Sequence, residues 1–124
     1  GWRLCPLVCY DLRFPVWSRN NLNYDVLLYV ANWPESRSYP WQQLLKARAI
    51  ENQSYVVGLN RVGTDGNGVF YSGDSAIIDA LGESISAMPP SQSFVDVFTL
   101  SKENLASVRQ RFGFLADQDA FELK

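Results

Sequence analysis

Histidine is absent from all 124 residues. No Ser–His or Cys–His catalytic pair, and no imidazole metal ligand, can therefore form within this chain. Cysteine occurs only twice, at Cys5 and Cys9, too few without histidine for a structural zinc site. No apolar run approaches the roughly 20 residues that a spanning helix needs, and no secretory leader pattern is visible at the start. Charge is modest in both signs: 11 basic against 13 acidic side chains, net −2. That balance excludes a strong electrostatic footprint for nucleic acid or for an anionic membrane surface. What remains is apolar: 47% hydrophobic against 19% charged residues, in a length that holds one globular domain.

The two cysteines sit in Leu4-Cys5-Pro6-Leu7-Val8-Cys9, a short apolar run that reads as a buried strand. Four residues along a strand place the two sulfurs on one face but roughly 13 Å apart, beyond disulfide reach. Two unpaired thiols fit a reducing compartment, so a cytoplasmic location is expected.

Alternation of strand and helix patterns predicts an α/β fold. After the first strand, Tyr10 to Pro15 turns the chain, and Pro15 suits the first turn of a helix over about 15–21. Asp25 to Ala31 is continuously apolar after its first residue, as in a strand covered on both faces. Pro40 to Gln53 reads as a helix with Trp41, Leu44, Leu45, Arg48 and Asn52 on one face, and 54–59 as a third strand. Arg48 and Glu51 form an i,i+3 pair, read as a structural salt bridge. Beyond a loop or hairpin tip at Gly63–Gly68, short strands are expected at 69–71, 75–79, 83–87 and 94–98. Ser101 can cap a helix to about Arg111. The tail from Phe112 to Lys124, rich in large apolar groups including Phe114, Phe121 and Leu123, is expected to dock, on a second subunit for example.

Cys9 stands where a buried strand gives way to a turn and then a helix. A nucleophile there projects from the strand tip, and the backbone amides after it face forward to stabilise an oxyanion. Two other motifs carry less. Gly73-Asp74-Ser75 looks like an esterase signature, but that serine needs a histidine. Asp65-Gly66-Asn67-Gly68 lacks the later ligands and closing Glu of a calcium loop and reads as a turn.

Leu7-Val8-Cys9-Tyr10-Asp11-Leu12-Arg13-Phe14-Pro15 resembles the nucleophile motif of the nitrilase superfamily of carbon–nitrogen hydrolases. The resemblance continues in order through Tyr29 to Pro34, Trp41 to Asn52, Asn60 to Gly63, and Gly73 to Glu83. Cys-Tyr-Asp-x-Arg-Phe-Pro is similar to the amidase branches, and the stretch from Val16 through Pro34 to the bacterial omega-amidases. The resemblance implies part of a four-layer αββα sandwich, commonly dimeric, acting on a small-molecule amide without metal or organic cofactor. It implies Cys9 as nucleophile, forming a thioester, and the Tyr10 N–H as oxyanion donor. The family's catalytic Glu and Lys precede the cysteine, whereas residues 1–8 here contain neither. The chain thus reads as the C-terminal portion of one hydrolase domain, and the polypeptide alone is expected to be inactive. A half-sandwich would also leave one sheet face uncovered.

The expected activity is hydrolysis of the terminal amide of a 2-oxoglutaramate-like monoamide to acid and ammonia. Asn32 and Trp33 follow a strand tip, where α/β proteins place ligands, and Arg37 offers a bidentate fork for a substrate carboxylate. Asp11 and Arg13 are expected to brace the turn by a salt bridge or backbone bonds. Alternatives are a related amidase acting on an N-carbamoyl amino acid or deaminated glutathione, and a non-catalytic scaffold module.

Overall fold

The computed structural model describes residues 1–122. Its centre is a four-stranded sheet built from β1 (Leu4–Val8), β2 (Val26–Ala31), β3 (Tyr55–Asn60) and β6 (Ala76–Ile78), in that spatial order. The first three strands are parallel and β6 runs antiparallel at the edge. In the register, Val8 faces Val30 and Ala31 faces Asn60. The carboxyl ends of three strands therefore finish at one level, which sets Cys9, Asn32 and Arg61 side by side along the sheet edge.

One face of the sheet is closed by α2 (Ser38–Asn52). Leu27, Tyr29 and Val56 pack there against Trp41, Leu45 and Ala49, with Cys5 and Leu7 at the margin. The helix face read from the sequence is the buried one, with Arg48 and Asn52 inside it. Gly58 permits the close approach: a Cβ there would stand 2.6 Å from Leu45 Cδ1.

The other face is covered only at one end. α3 (Lys102–Arg111) lays Leu105 on Val26, Tyr55 and Ala80. Ser101 caps it by accepting the Asn104 amide at 3.1 Å, as expected for an N-cap serine. Arg109 fixes it to the sheet ends, donating to the carbonyls of Tyr24 at 2.7 Å and Gln53 at 2.8 Å. Asp25 pairs with Lys102 and Arg109. Burial alone raises the Asp25 carboxyl, but the Arg3 amide and the two cations outweigh it and hold it below the usual range. Towards the strand tips, Leu4, Val8, Val30 and Leu59 remain 44–62% exposed on this same face.

Several local expectations change. Residues 9–13 form a 3-10 turn, and α1 spans only Pro15–Ser18. The helix stops there because Asn20 is drawn into the core, where its amide N–H donates to Asn52 Oδ1 and its carboxamide donates to the Asn52 and Tyr24 carbonyls. β4 (Val62–Thr64) pairs with β5 (Phe70–Ser72) in a separate hairpin. Asp65 closes its turn, Oδ1 accepting the amides of Asn67 and Val69. Residues 83–87 make only a single bridge, Ile78 to Ser84, and 94–98 form no strand. Alternating side chains make a strand only where a neighbour completes the ladder, and Val95 and Val97 stand in solvent. The tail begins on its own chain: Gln53 Nε2 donates to the Phe112 carbonyl, and a 3-10 turn follows at Phe114–Asp117. Phe114 and Phe121 are exposed, and Leu123 lies outside the described residues.

Candidate functional site

Cys9 leaves β1 with a backbone φ of +42°. That region is unfavourable for a residue with a Cβ, costing on the order of 1–3 kcal/mol, and it persists only where surrounding contacts impose it. Those contacts are visible. Asp11 Oδ2 accepts the Val8 amide at 2.9 Å, tying the two sides of the turn. Leu12 is fully buried beneath it. The Leu12 carbonyl accepts Arg48 Nη2 at 2.6 Å, and Arg48 Nη1 meets Glu51 at 3.0 Å. The turn is thus anchored from below by a buried guanidinium on α2. Cys9 Sγ is half-buried, 3.9 Å from the Asn32 carbonyl oxygen. The Tyr10 amide follows at the start of the 3-10 turn, where the first N–H groups have no partner inside the helix.

Cys5 is a contrasting thiol. It is unpaired like Cys9, but burial pushes its pKa above the ordinary thiol value. A thiol held neutral in this way is a weak nucleophile.

The second strand tip supplies Asn32, which is exposed, and Trp33, which is buried. The Trp33 ring rests on Trp41, with centroids 5.5 Å apart, and its Nε1 donates to the Arg37 carbonyl at 2.7 Å. Trp33 therefore underpins the site instead of presenting a face to the opening. Arg13 does not pair with Asp11; its guanidinium lies over the Trp33 ring at 5.0 Å. Arg37 is exposed and 5.9 Å from the same ring.

At the third strand tip stands a residue to which the sequence reading assigned no role. Asn60 Oδ1 accepts the Trp33 amide at 2.7 Å. Its Nδ2 donates to the carbonyls of Trp33 at 2.9 Å and Gly73 at 2.8 Å. One carboxamide therefore clamps the loop after β2 to the turn before β6. Its only trace in the sequence is a polar residue closing an apolar strand. Gly73 adopts φ +80° in that turn, and a Cβ there would meet Val62 Cγ1 at 2.8 Å. Asp74 turns its carboxylate to the Ser38 and Ser72 hydroxyls, and Ser75 Oγ accepts the Asn60 amide. Neither residue is arranged as an esterase nucleophile. A cleft of about 470 Å³ opens beside these groups, lined by Asn60, Arg61, Gly73, Ser75, Gln92 and Phe94 among others. Cys9 stands outside this cleft, on the open edge next to Asn32. Among the described residues, no three His, Cys, Asp or Glu side chains gather to hold a metal, and no helix is long and apolar enough to cross a membrane.

Chemically, this edge offers a thiol on a strained strand tip, amides facing forward beside it, and arginines on the rim. It does not offer a carboxylate or an ammonium placed to exchange protons with the thiol. Asp11 is engaged by the Val8 amide, and Lys46 is carried on α2.

Residues 1–110 match the carbon–nitrogen hydrolase family. Omega-amidase YafV of Yersinia enterocolitica is 57% identical over 99% of this chain and 48% of its own length. The 2-oxoglutaramate amidase of Paenarthrobacter nicotinovorans is 41% identical over 90% of this chain and 38% of its own. The chain spans about half the length of the curated relatives that it matches best, among them the Yersinia protein. A crystal structure of a CN-hydrolase superfamily protein from Xanthomonas campestris, with an arsenic adduct in its active site, superposes with a TM-score of 0.96. It is 48% identical and covers all of this chain and 49% of that one. The α/β arrangement seen here, one helical layer on one sheet, is accordingly a portion of the nitrilase-type αββα sandwich.

Proposed function

The chain belongs to the carbon–nitrogen hydrolase family, and on that footing we propose that it carries the nucleophile of an amidase releasing ammonia from the terminal amide of a small carboxylic acid monoamide, 2-oxoglutaramate in type. The observation that carries the proposal is Cys9, forced to positive φ at the tip of β1 with its sulfur on an open edge. The same device, a nucleophile on a strained strand-to-helix turn, serves unrelated hydrolases. The relatives add support. Omega-amidases and a 2-oxoglutaramate amidase align over most of the chain, and arsenic, a soft centre, prefers thiolate ligands.

In this reading the Cys9 thiolate attacks the amide carbon to give a tetrahedral oxyanion, which the Tyr10 N–H helps to stabilise. The C–N bond breaks as a proton reaches nitrogen, ammonia departs, and a thioester remains. Water then attacks the thioester, the C–S bond breaks, and the acid is released with the thiol restored. A glutamate to move protons and a lysine to bind the oxyanion are supplied by sequence preceding Gly1. Asn32 borders the substrate, Arg37 contributes positive charge at the rim, and Trp33 holds the wall. Assembly as a homodimer in the cytoplasm, without metal or organic cofactor, belongs to the same proposal.

The test is ammonia release by the full-length protein from 2-oxoglutaramate, glutamine and an N-carbamoyl amino acid in parallel. The expected result is preference for 2-oxoglutaramate and loss of at least about 1,000-fold in kcat with Cys9→Ala. Preference for either of the other two overturns the substrate assignment, and an active Cys9→Ala overturns the mechanism.

A further inference from the structure

We infer that Arg61 determines specificity by binding the substrate's carboxylate at the end of the cleft away from Cys9. The inference rests on the amidase reading above and names a residue that the sequence left unassigned. Placement comes first. Cys9, Asn32 and Arg61 follow the ends of three adjacent parallel strands, and the Arg61 amide donates to the Ala31 carbonyl at 3.1 Å. Two strand spacings, about 10 Å, separate the Cys9 and Arg61 backbones. That span suits an acid whose carboxylate lies two or three carbons beyond its amide carbon, once the arginine side chain reaches inward.

The guanidinium is also held ready. It lies over the Tyr71 ring, 4.6 Å from the centroid, and the Tyr71 hydroxyl donates to Asp65 Oδ2 at 3.0 Å. Stacking occupies the flat face of the guanidinium and leaves its edge N–H groups for a planar acceptor, the geometry that favours bidentate carboxylate binding. Among the described residues no carboxylate lies within ion-pair distance of it. The two nearby acids are otherwise engaged. Asp74 Oδ2 accepts two serine hydroxyls, and Asp65 accepts two amides as well as Tyr71. Arg61 lines the 470 Å³ cleft itself, whereas Arg13 and Arg37 are committed to the Trp33 ring.

The experiment compares succinamate with butyramide, its uncharged counterpart of similar length, in full-length protein bearing Arg61→Gln, Arg61→Lys or Arg37→Gln. Arg61→Gln is expected to raise KM for succinamate about 10- to 100-fold, with kcat within a few-fold and butyramide unaffected. Arg61→Lys should recover part of the loss, and Arg37→Gln should leave the succinamate-to-butyramide ratio within a few-fold. An unchanged ratio in Arg61→Gln, an equal fall on both amides, or the whole effect arising from Arg37→Gln overturns the inference. Calorimetric binding of glutarate to Cys9→Ala, with and without Arg61→Gln, separates the two proposals. Arg61-dependent binding in a protein that hydrolyses no amide sinks the amidase reading and leaves the anion site standing, and binding indifferent to Arg61 sinks the anion site alone.

Discussion

Four residues separate Cys5 from Cys9 on the same stretch of chain, yet their surroundings set different chemistry. Cys5 packs against the core, and burial raises its pKa, so below the ordinary thiol range it stays protonated and unreactive. Cys9 sits on the strained turn with its sulfur towards the open edge. Iodoacetamide at about pH 7 should therefore alkylate Cys9 well before Cys5. Raising the pH to about 10 should narrow the gap as Cys5 begins to ionise. Peptide mapping by mass spectrometry reads both sites, and equal rates at the lower pH would contradict the assignment. The place of Cys9 was legible in the sequence because an apolar run ends there in Asp-Leu-Arg-Phe-Pro, a turn followed by a helix start. The burial of Trp33 was not, because whether an aromatic at a strand tip faces in or out depends on partners remote in the chain, here Trp41 and Arg13. Asn60 escaped notice for the same reason, since all its side-chain bonds run to residues 13 or 27 positions away.

Among the elements, the contact of α2 with β3 is the tightest fit on the closed face. A methyl added at Gly58 would meet Leu45 Cδ1 at 2.6 Å, Leu45 Cδ2 at 2.9 Å and Trp41 Cζ2 at 3.0 Å. Gly58→Ala is expected to destabilise by about 1–3 kcal/mol through overpacking. In a Leu45→Ala background, itself costing about 2–5 kcal/mol, the new methyl has room, so the penalty for Gly58→Ala should largely vanish. Denaturant melts of the four proteins measure this coupling, and strict additivity would refute the steric account. The elements forming this contact were readable because their apolar periods are long and bounded by turn residues. Two later expectations failed for a different reason. Residues 83–87 and 94–98 alternate as strands do, but a strand is a property of two segments, and the second segment was not there to be counted.

For the molecule as a whole, the decisive feature is a sheet finished on one side only. Leu4, Val8, Val30 and Leu59 present an apolar surface next to the groove formed by Trp2, Leu28, Val57, Phe98 and Leu100. Apolar patches of several hundred Å² are association sites. Expressed as these 124 residues alone, the chain should self-associate, seen by light scattering, and release no ammonia from 2-oxoglutaramate. Co-expression with the preceding part of the protein should give a discrete particle with activity. A monodisperse and active 124-residue chain would refute the reading of this face. The α/β class followed from the order of apolar periods, but the extent to which the far face is covered could not, since side-chain alternation is the same whether the opposing layer is present or not.

Asn60 fastens two walls of the opening with a single carboxamide. Neither wall can swing without dragging the other, so any breathing of the mouth falls to the β1 side. Compounds of different girth should then be sorted by how far they bulge past the sulfur, and an inhibitor series grown in that direction would tolerate bulk that the opposite direction refuses.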